Sequence, residues 1–259
     1  MNMIQIGGRT VLFVLMNLGV AGCQVTAGKA TQVASAPTAT TMGSEAAKAP
    51  VHMPREIHWY RNSANQRTMY AQGYQYAHLI VERERPAAQG SWAVVLDLDE
   101  TVLDNSQYQW QQAQKGESFT PDSWKAWVLE RRAVAFVPAR EFIHWVKSQG
   151  GHVFAVTNRI QSLCAPTVDN LVAQDVAVDG VLCAPDSVDP PEKESRFKAI
   201  HDGSALPGVG PQQVLLYMGD QITDCPGQTE STFDVTKFGT QCIAFPNPMY
   251  GSWTSNPER

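Results

Sequence analysis

Residues 92–96 read Trp-Ala-Val-Val-Leu, an apolar run without polar alternation that stops at Asp97. A strand wetted on one face alternates polar and apolar side chains, so an unbroken run fits a parallel strand covered by helices on both faces. Four more such runs follow: His152-Val153-Phe154-Ala155-Val156, Gly180-Val181-Leu182-Cys183, Val214-Leu215-Leu216-Tyr217-Met218 and Cys242-Ile243-Ala244-Phe245. Helical stretches separate them, notably residues 139–148, 166–174 and 192–201. Strands alternating with helices in this way predict an α/β fold, a Rossmann-like doubly wound parallel sheet with right-handed crossovers.

Two further segments extend that core. Residues 57–85 space Tyr60, Tyr70, Tyr74, Ala77 and Val81 at mixed three- and four-residue intervals and end at Pro86, which predicts an N-terminal helix, continuous or broken near Asn62. Residues 107–132, with Trp110, Trp124 and Trp127, are too long for a loop and carry no strand signal, so a helical insertion over the sheet's edge is expected. The folded domain is expected over 55–259, with its core at about 90–104 and 150–246. A mostly helical cap would come from 55–85, 105–149 and the C-terminal segment. There are no internal repeats.

The N-terminus has a different character. Arg9 precedes the apolar stretch Val11-Leu12-Phe13-Val14-Leu15-Met16, then Val20-Ala21-Gly22 and Cys23. Residues 1–22 read as a signal peptide, too short for a membrane-spanning helix. A cysteine directly after Val-Ala-Gly resembles the lipobox of bacterial lipoproteins, which implies lipidation at Cys23 and a membrane anchor. The following residues, to about Pro54, are mostly small and polar and read as a flexible tether. Gln24 is not the Asp associated with inner-membrane retention, so the expected location is the outer membrane, facing the periplasm or cell surface.

Without residues 1–22 the chain carries 19 basic and 25 acidic residues, a net charge of −6, and no basic face for a nucleic-acid polymer is evident. Cys164, Cys183, Cys225 and Cys242 form an even set in an exported chain. Two disulfides are compatible with that, and the pairing stays open.

In open parallel sheets, chemistry collects beyond the carboxyl ends of the strands. Here those ends carry Asp97-Leu98-Asp99-Glu100-Thr101, Thr157-Asn158-Arg159, and Gly219-Asp220 leading to Asp224. Carboxylates converging in one crevice repel one another unless a cation neutralises them, and all-oxygen ligands favour a hard ion such as Mg2+. The six histidines show no metal-ligand spacing.

Asp97-Leu98-Asp99-Glu100-Thr101 resembles the first motif of the haloacid-dehalogenase-like phosphatases, Asp-x-Asp-x-Thr. Thr157, Lys193 within Glu-Lys-Glu-Ser-Arg-Phe, and Gly219-Asp220-Gln221-Ile222-Thr223-Asp224 resemble the remaining three motifs, in order. Leu103-Asp104-Asn105-Ser106, Trp59-Tyr60, the lipobox and the ending Pro246-Asn247-Pro248-Met249-Tyr250-Gly251 are similar to the class C acid phosphatases, the lipoprotein e(P4) group of bacterial 5′-nucleotidases. Gln221-Ile222 replaces that family's usual Asn-Leu, and Cys225 stands where Phe is common.

The resemblance implies an acid phosphatase acting on small phosphomonoesters, nucleoside 5′-monophosphates among them, through an aspartyl-phosphate. Asp97 would be the nucleophile and Asp99 the general acid, then base. Mg2+ would be held by Asp97, the main-chain carbonyl of Asp99 and Asp220, with Asp224 supporting its water shell. Thr157 and Lys193 would bind the phosphoryl group. Lys198, a little over one helical turn on, competes with Lys193 for that role, and Asp104 reads equally well as a helix cap. Tyr108, Trp124 and Tyr250 are candidates to stack on a flat leaving group, although core packing is the commoner fate of an aromatic ring. Two alternatives stand beside hydrolysis: phosphotransfer to an alcohol, and a non-catalytic ligand-binding lipoprotein.

Overall fold

The computed structural model describes residues 51–187 and 192–258. The expected signal peptide, Cys23 and nearly all of the tether lie outside the described residues. The helices are α1 (Arg55–Asn62), α2 (Ala64–Glu84), α3 (Ser106–Lys115), α4 (Pro121–Leu129), α5 (Val137–Ser148), α6 (Cys164–Ala173) and α7 (Glu194–Asp202). The strands are β1 (Trp92–Leu96), β2 (Leu103–Asp104), β3 (Val134–Ala135), β4 (His152–Ile160), β5 (Gly180–Ala184), β6 (Gln213–Gly219) and β7 (Cys242–Ala244).

Five of these strands form one parallel sheet in the order β5-β4-β1-β6-β7. The chain winds outward from β1 through β4 to β5, then returns to the other side of β1. That reversal opens a crevice at the carboxyl end of β1, which places Asp97 at the switch point. The expected doubly wound sheet is therefore present.

Each apolar run feeds both faces of the sheet. Val94, Leu96, Val153, Leu216 and Met218 join a core with Tyr70, Tyr74, Ile80 and Val81 of α2 and Phe142, Ile143 and Val146 of α5. Ala93, Val95, Phe154, Val156 and Tyr217 pack instead against Phe197 and Ile200 of α7. Residues 55–85 were expected in the cap, and the structure corrects this: Tyr74, Ala77, Ile80 and Val81 are fully buried in the main core, so α2 is a layer of the sheet's own covering. The segment does break near Asn62, where the Ser63 hydroxyl accepts the amides of Asn65 and Gln66 and caps α2.

Two other features depart from expectation. The segment after β1 leaves and re-enters the core through a short antiparallel hairpin, β2 with β3, which roots the helices α3 and α4. β4 also runs on to Ile160, so Thr157, Asn158 and Arg159 continue the strand and alternate buried, exposed, buried. Disulfides join Cys164 to Cys183 and Cys225 to Cys242. The second ties the residue after Asp224 to the start of β7. Among the described residues no helix is long and apolar enough to cross a membrane.

Candidate active site

β1 delivers Asp97 and β6 delivers Asp220, with Asp224 following in a 3-10 turn (Ile222–Asp224). Carboxylate oxygens of Asp97, Asp220 and Asp224 lie within 4.8 Å of one another. Gly219 makes this approach possible, because a Cβ there would overlap the Asp224 carboxylate. The Lys193 ammonium bridges two of the acids, 2.5 Å from Asp97 Oδ1 and 2.6 Å from Asp224 Oδ1. Its side chain is 4% exposed, whereas Lys198 pairs with Asp202 at the surface, so the choice between the two lysines falls on Lys193. Asp224, expected behind the metal's water shell, stands instead among the three clustered acids.

One ammonium does not neutralise three clustered carboxylates, of which Asp97 and Asp224 are buried and Asp220 is half-buried. Burial raises the Asp97 carboxyl to about 7, Lys193 opposing the shift and Asp224 and Asp99 adding to it. Burial, then Asp97 and Asp224, push Asp220 well above the usual carboxylate range, although it accepts from Asn247 and Gln221. The same acids raise the Lys193 pKa against the effect of its own burial. Such an excess of oxygen donors and negative charge fits a divalent cation bound between Asp97 and Asp220.

Asp99 is in a different setting. Its carboxylate faces the buried Arg159 guanidinium, with Nη2 2.7 Å from Oδ1, and it also accepts from Asn105 Nδ2 at 2.9 Å. Thr157 is fully buried, and its hydroxyl accepts the Arg159 amide, which leaves the hydroxyl proton free to donate. Arg196 donates to the carbonyls of Thr157 and Leu182 and so braces the end of β4. Asp104, one residue before the N-cap Asn105, accepts the first amide of α3, that of Ser106, at 2.8 Å.

The loop between Asp97 and Leu103 is held from α2. Tyr70 donates its hydroxyl to the Glu100 carbonyl, and Tyr74 donates to the Thr101 carbonyl at 2.9 Å. Glu100 adopts a left-handed φ of 56° and is fully buried. Its carboxylate accepts the Asn105 amide and the Tyr250 hydroxyl.

The three aromatic candidates separate. Tyr108 is 2% exposed, its ring edge-on to Trp124 and its hydroxyl on Ser123, so it has no open face and the stacking role expected for it is not available. Trp124 and Tyr250 remain half-buried.

The model of the haloacid-dehalogenase superfamily, subfamily IIIB (acid phosphatase), matches residues 22–253. The chain belongs to this family. A class C acid phosphatase from Bacillus anthracis superposes with a TM-score of 0.66 at 27% identity, over 76% of this chain and 84% of that one. The tungstate-bound structure of the class C acid phosphatase from Bacillus anthracis gives 0.65 at 26% identity, with the same coverage. The α/β fold and the resemblance drawn from the motifs are both borne out. Arg159, Asn105, Glu100 and Asn247 carried no assigned role in the sequence reading. Each lies inside a stretch that the sequence singled out, Glu100 and Arg159 at polar strand ends and Asn105 and Asn247 in segments similar to the class C acid phosphatases, but nothing there gave the side chain itself a partner.

Proposed function

We propose that this acid phosphatase hydrolyses small phosphomonoesters through a phosphorylated Asp97, with Mg2+ as the cation. The observation that carries this reading is the convergence of Asp97, Asp220 and Asp224 in one cluster, with Lys193 bridging Asp97 and Asp224. Tungstate in the relative is a tetrahedral oxyanion of phosphate-like shape, which agrees with an oxyanion site in this fold.

An Asp97 carboxylate oxygen attacks phosphorus, the bond from phosphorus to the ester oxygen breaks, and Asp99 gives that oxygen its proton. Water then attacks the phosphorus, passes a proton to Asp99 and releases phosphate and the Asp97 carboxylate. Lys193 and the Thr157 hydroxyl offset charge on the phosphoryl oxygens. Asp97, Asp220 and the Asp99 carbonyl would hold Mg2+, which would supply the charge neutralisation that lets one anion approach another. Trp124 and Tyr250 are the groups left to meet a flat leaving group, with nucleoside 5′-monophosphates as the substrates to try.

The test is phosphate release by the purified protein from p-nitrophenyl phosphate and nucleoside 5′-monophosphates, with Mg2+ and with EDTA. Activity that needs Mg2+ and vanishes in Asp97→Asn supports the reading, and full activity in that variant overturns it. Transfer of phosphate to added alcohol in place of water would favour a phosphotransferase.

A further inference from the structure

Asp99 is the proton carrier in the function proposed above, and its two oxygens are not equivalent. Oδ1 accepts three donors: Arg159 Nη2 at 2.7 Å, Asn105 Nδ2 at 2.9 Å and Arg159 Nε at 3.0 Å. Oδ2 has one, Arg159 Nε at 3.2 Å. A carboxylate oxygen with three donors has no lone pair left for chemistry, so proton traffic falls to the other oxygen.

The groups that create this asymmetry are themselves fixed. Arg159 is 2% exposed, its Nη1 donates to the Thr167 hydroxyl at 3.2 Å, and its guanidinium lies 5.4 Å from the Trp124 ring centroid. Its position follows from β4 continuing past Thr157, which turns Arg159 inward. Asn105 is fully buried, and its Oδ1 receives Trp127 Nε1 at 2.8 Å and Arg159 Nη2 at 3.3 Å. Those two donors orient the amide so that Nδ2 faces Asp99. Both tryptophans belong to α4, so the helical insertion reaches the proton carrier through Arg159 and Asn105.

We propose that Arg159, assisted by Asn105, is the positioning residue for proton transfer: it pins Asp99 by Oδ1 and leaves Oδ2 to serve the ester oxygen. The proposal rests on the reading of Asp99 as general acid. A planar fork is required, because Nη2 and Nε converge on Oδ1 from one rigid guanidinium, and the point charge of a lysine ammonium does not reproduce that fixed pair of donors.

Leaving-group dependence tests this in the full enzyme. p-Nitrophenolate departs without a proton, whereas the alkoxide of glycerol 2-phosphate needs one. Arg159→Lys is expected to lower kcat/KM on glycerol 2-phosphate by about 10²-fold, near the lower range for losing general acid catalysis, and on p-nitrophenyl phosphate by less than about 5-fold. Equal losses on both esters overturn the proposal. If melting shows that Arg159→Lys is unfolded, Asn105→Ala carries the comparison with the same two outcomes. Asp99→Asn separates the two claims: selective loss there with equal losses in Arg159→Lys defeats only the positioning role, while equal losses in Asp99→Asn defeat the general-acid reading itself.

Discussion

Asp97→Asn should abolish activity and, without a divalent cation, make the protein more stable. The variant keeps the shape of the side chain and removes the charge. Carrying the carboxyl from 3.8 to about 7, at about 1.4 kcal/mol per pH unit, sets a ceiling of about 4 kcal/mol on the cost of ionising it in the fold. The sign follows from linkage: the native state holds its proton more tightly than the unfolded chain. Stability is therefore full below about pH 4 and is lost as pH rises through about 7. In EDTA near pH 8, the variant should melt up to about 8–16 °C above the parent, at about 2–4 °C per kcal/mol for a domain of this size. Near pH 4 the difference should shrink, because both proteins are then neutral at this position. Saturating Mg2+ should oppose it, since ligand at 100 times its Kd stabilises the parent by about 2.7 kcal/mol and the variant has lost a ligand oxygen's charge. Differential scanning calorimetry in EDTA and in Mg2+ measures all of this. A variant that melts less than about 2 °C above the parent near pH 8 in EDTA would refute the account of the cluster as an unneutralised set of charges.

Lys193→Met should have the opposite effect, costing about 3–5 kcal/mol in urea unfolding near neutral pH because it strands buried carboxylates. An unchanged midpoint would mean that the acids do not depend on this ammonium. Cys225→Ser with Cys242→Ser opens a loop whose ends are 17 residues apart and should cost about 3 kcal/mol in a melt. The same variant should bind Mg2+ more weakly by titration calorimetry, since Cys225 follows Asp224 directly; equal affinity would count against that coupling.

The fold was legible because each sheet strand is covered on both faces and therefore written as an unbroken apolar run. Apart from the far end of β4, the main helices and strands fall within two residues of their expected bounds. β4 ran past its apolar stretch because Arg159 is buried by ion pairing and a Trp124 ring, which no hydropathy pattern records. The β2–β3 hairpin was hidden because each strand is two residues long. The acids and Lys193 were legible as motifs, but the remaining partners of the acids were not. Asn247 reaches Asp220 from 27 residues away, and Tyr250 reaches Glu100 from 150, contacts that only the closed fold creates.

The hydroxyls of Tyr70 and Tyr74 give the N-terminal helix a stake in the chemistry. A chain begun at Trp92 would keep every motif acid and the whole sheet, yet the main chain between Asp99 and Val102 would lose two of its anchors. The smallest working unit of this enzyme is consequently larger than the span of its motifs, and its upstream limit is set by a helix that contributes no acid to the cluster.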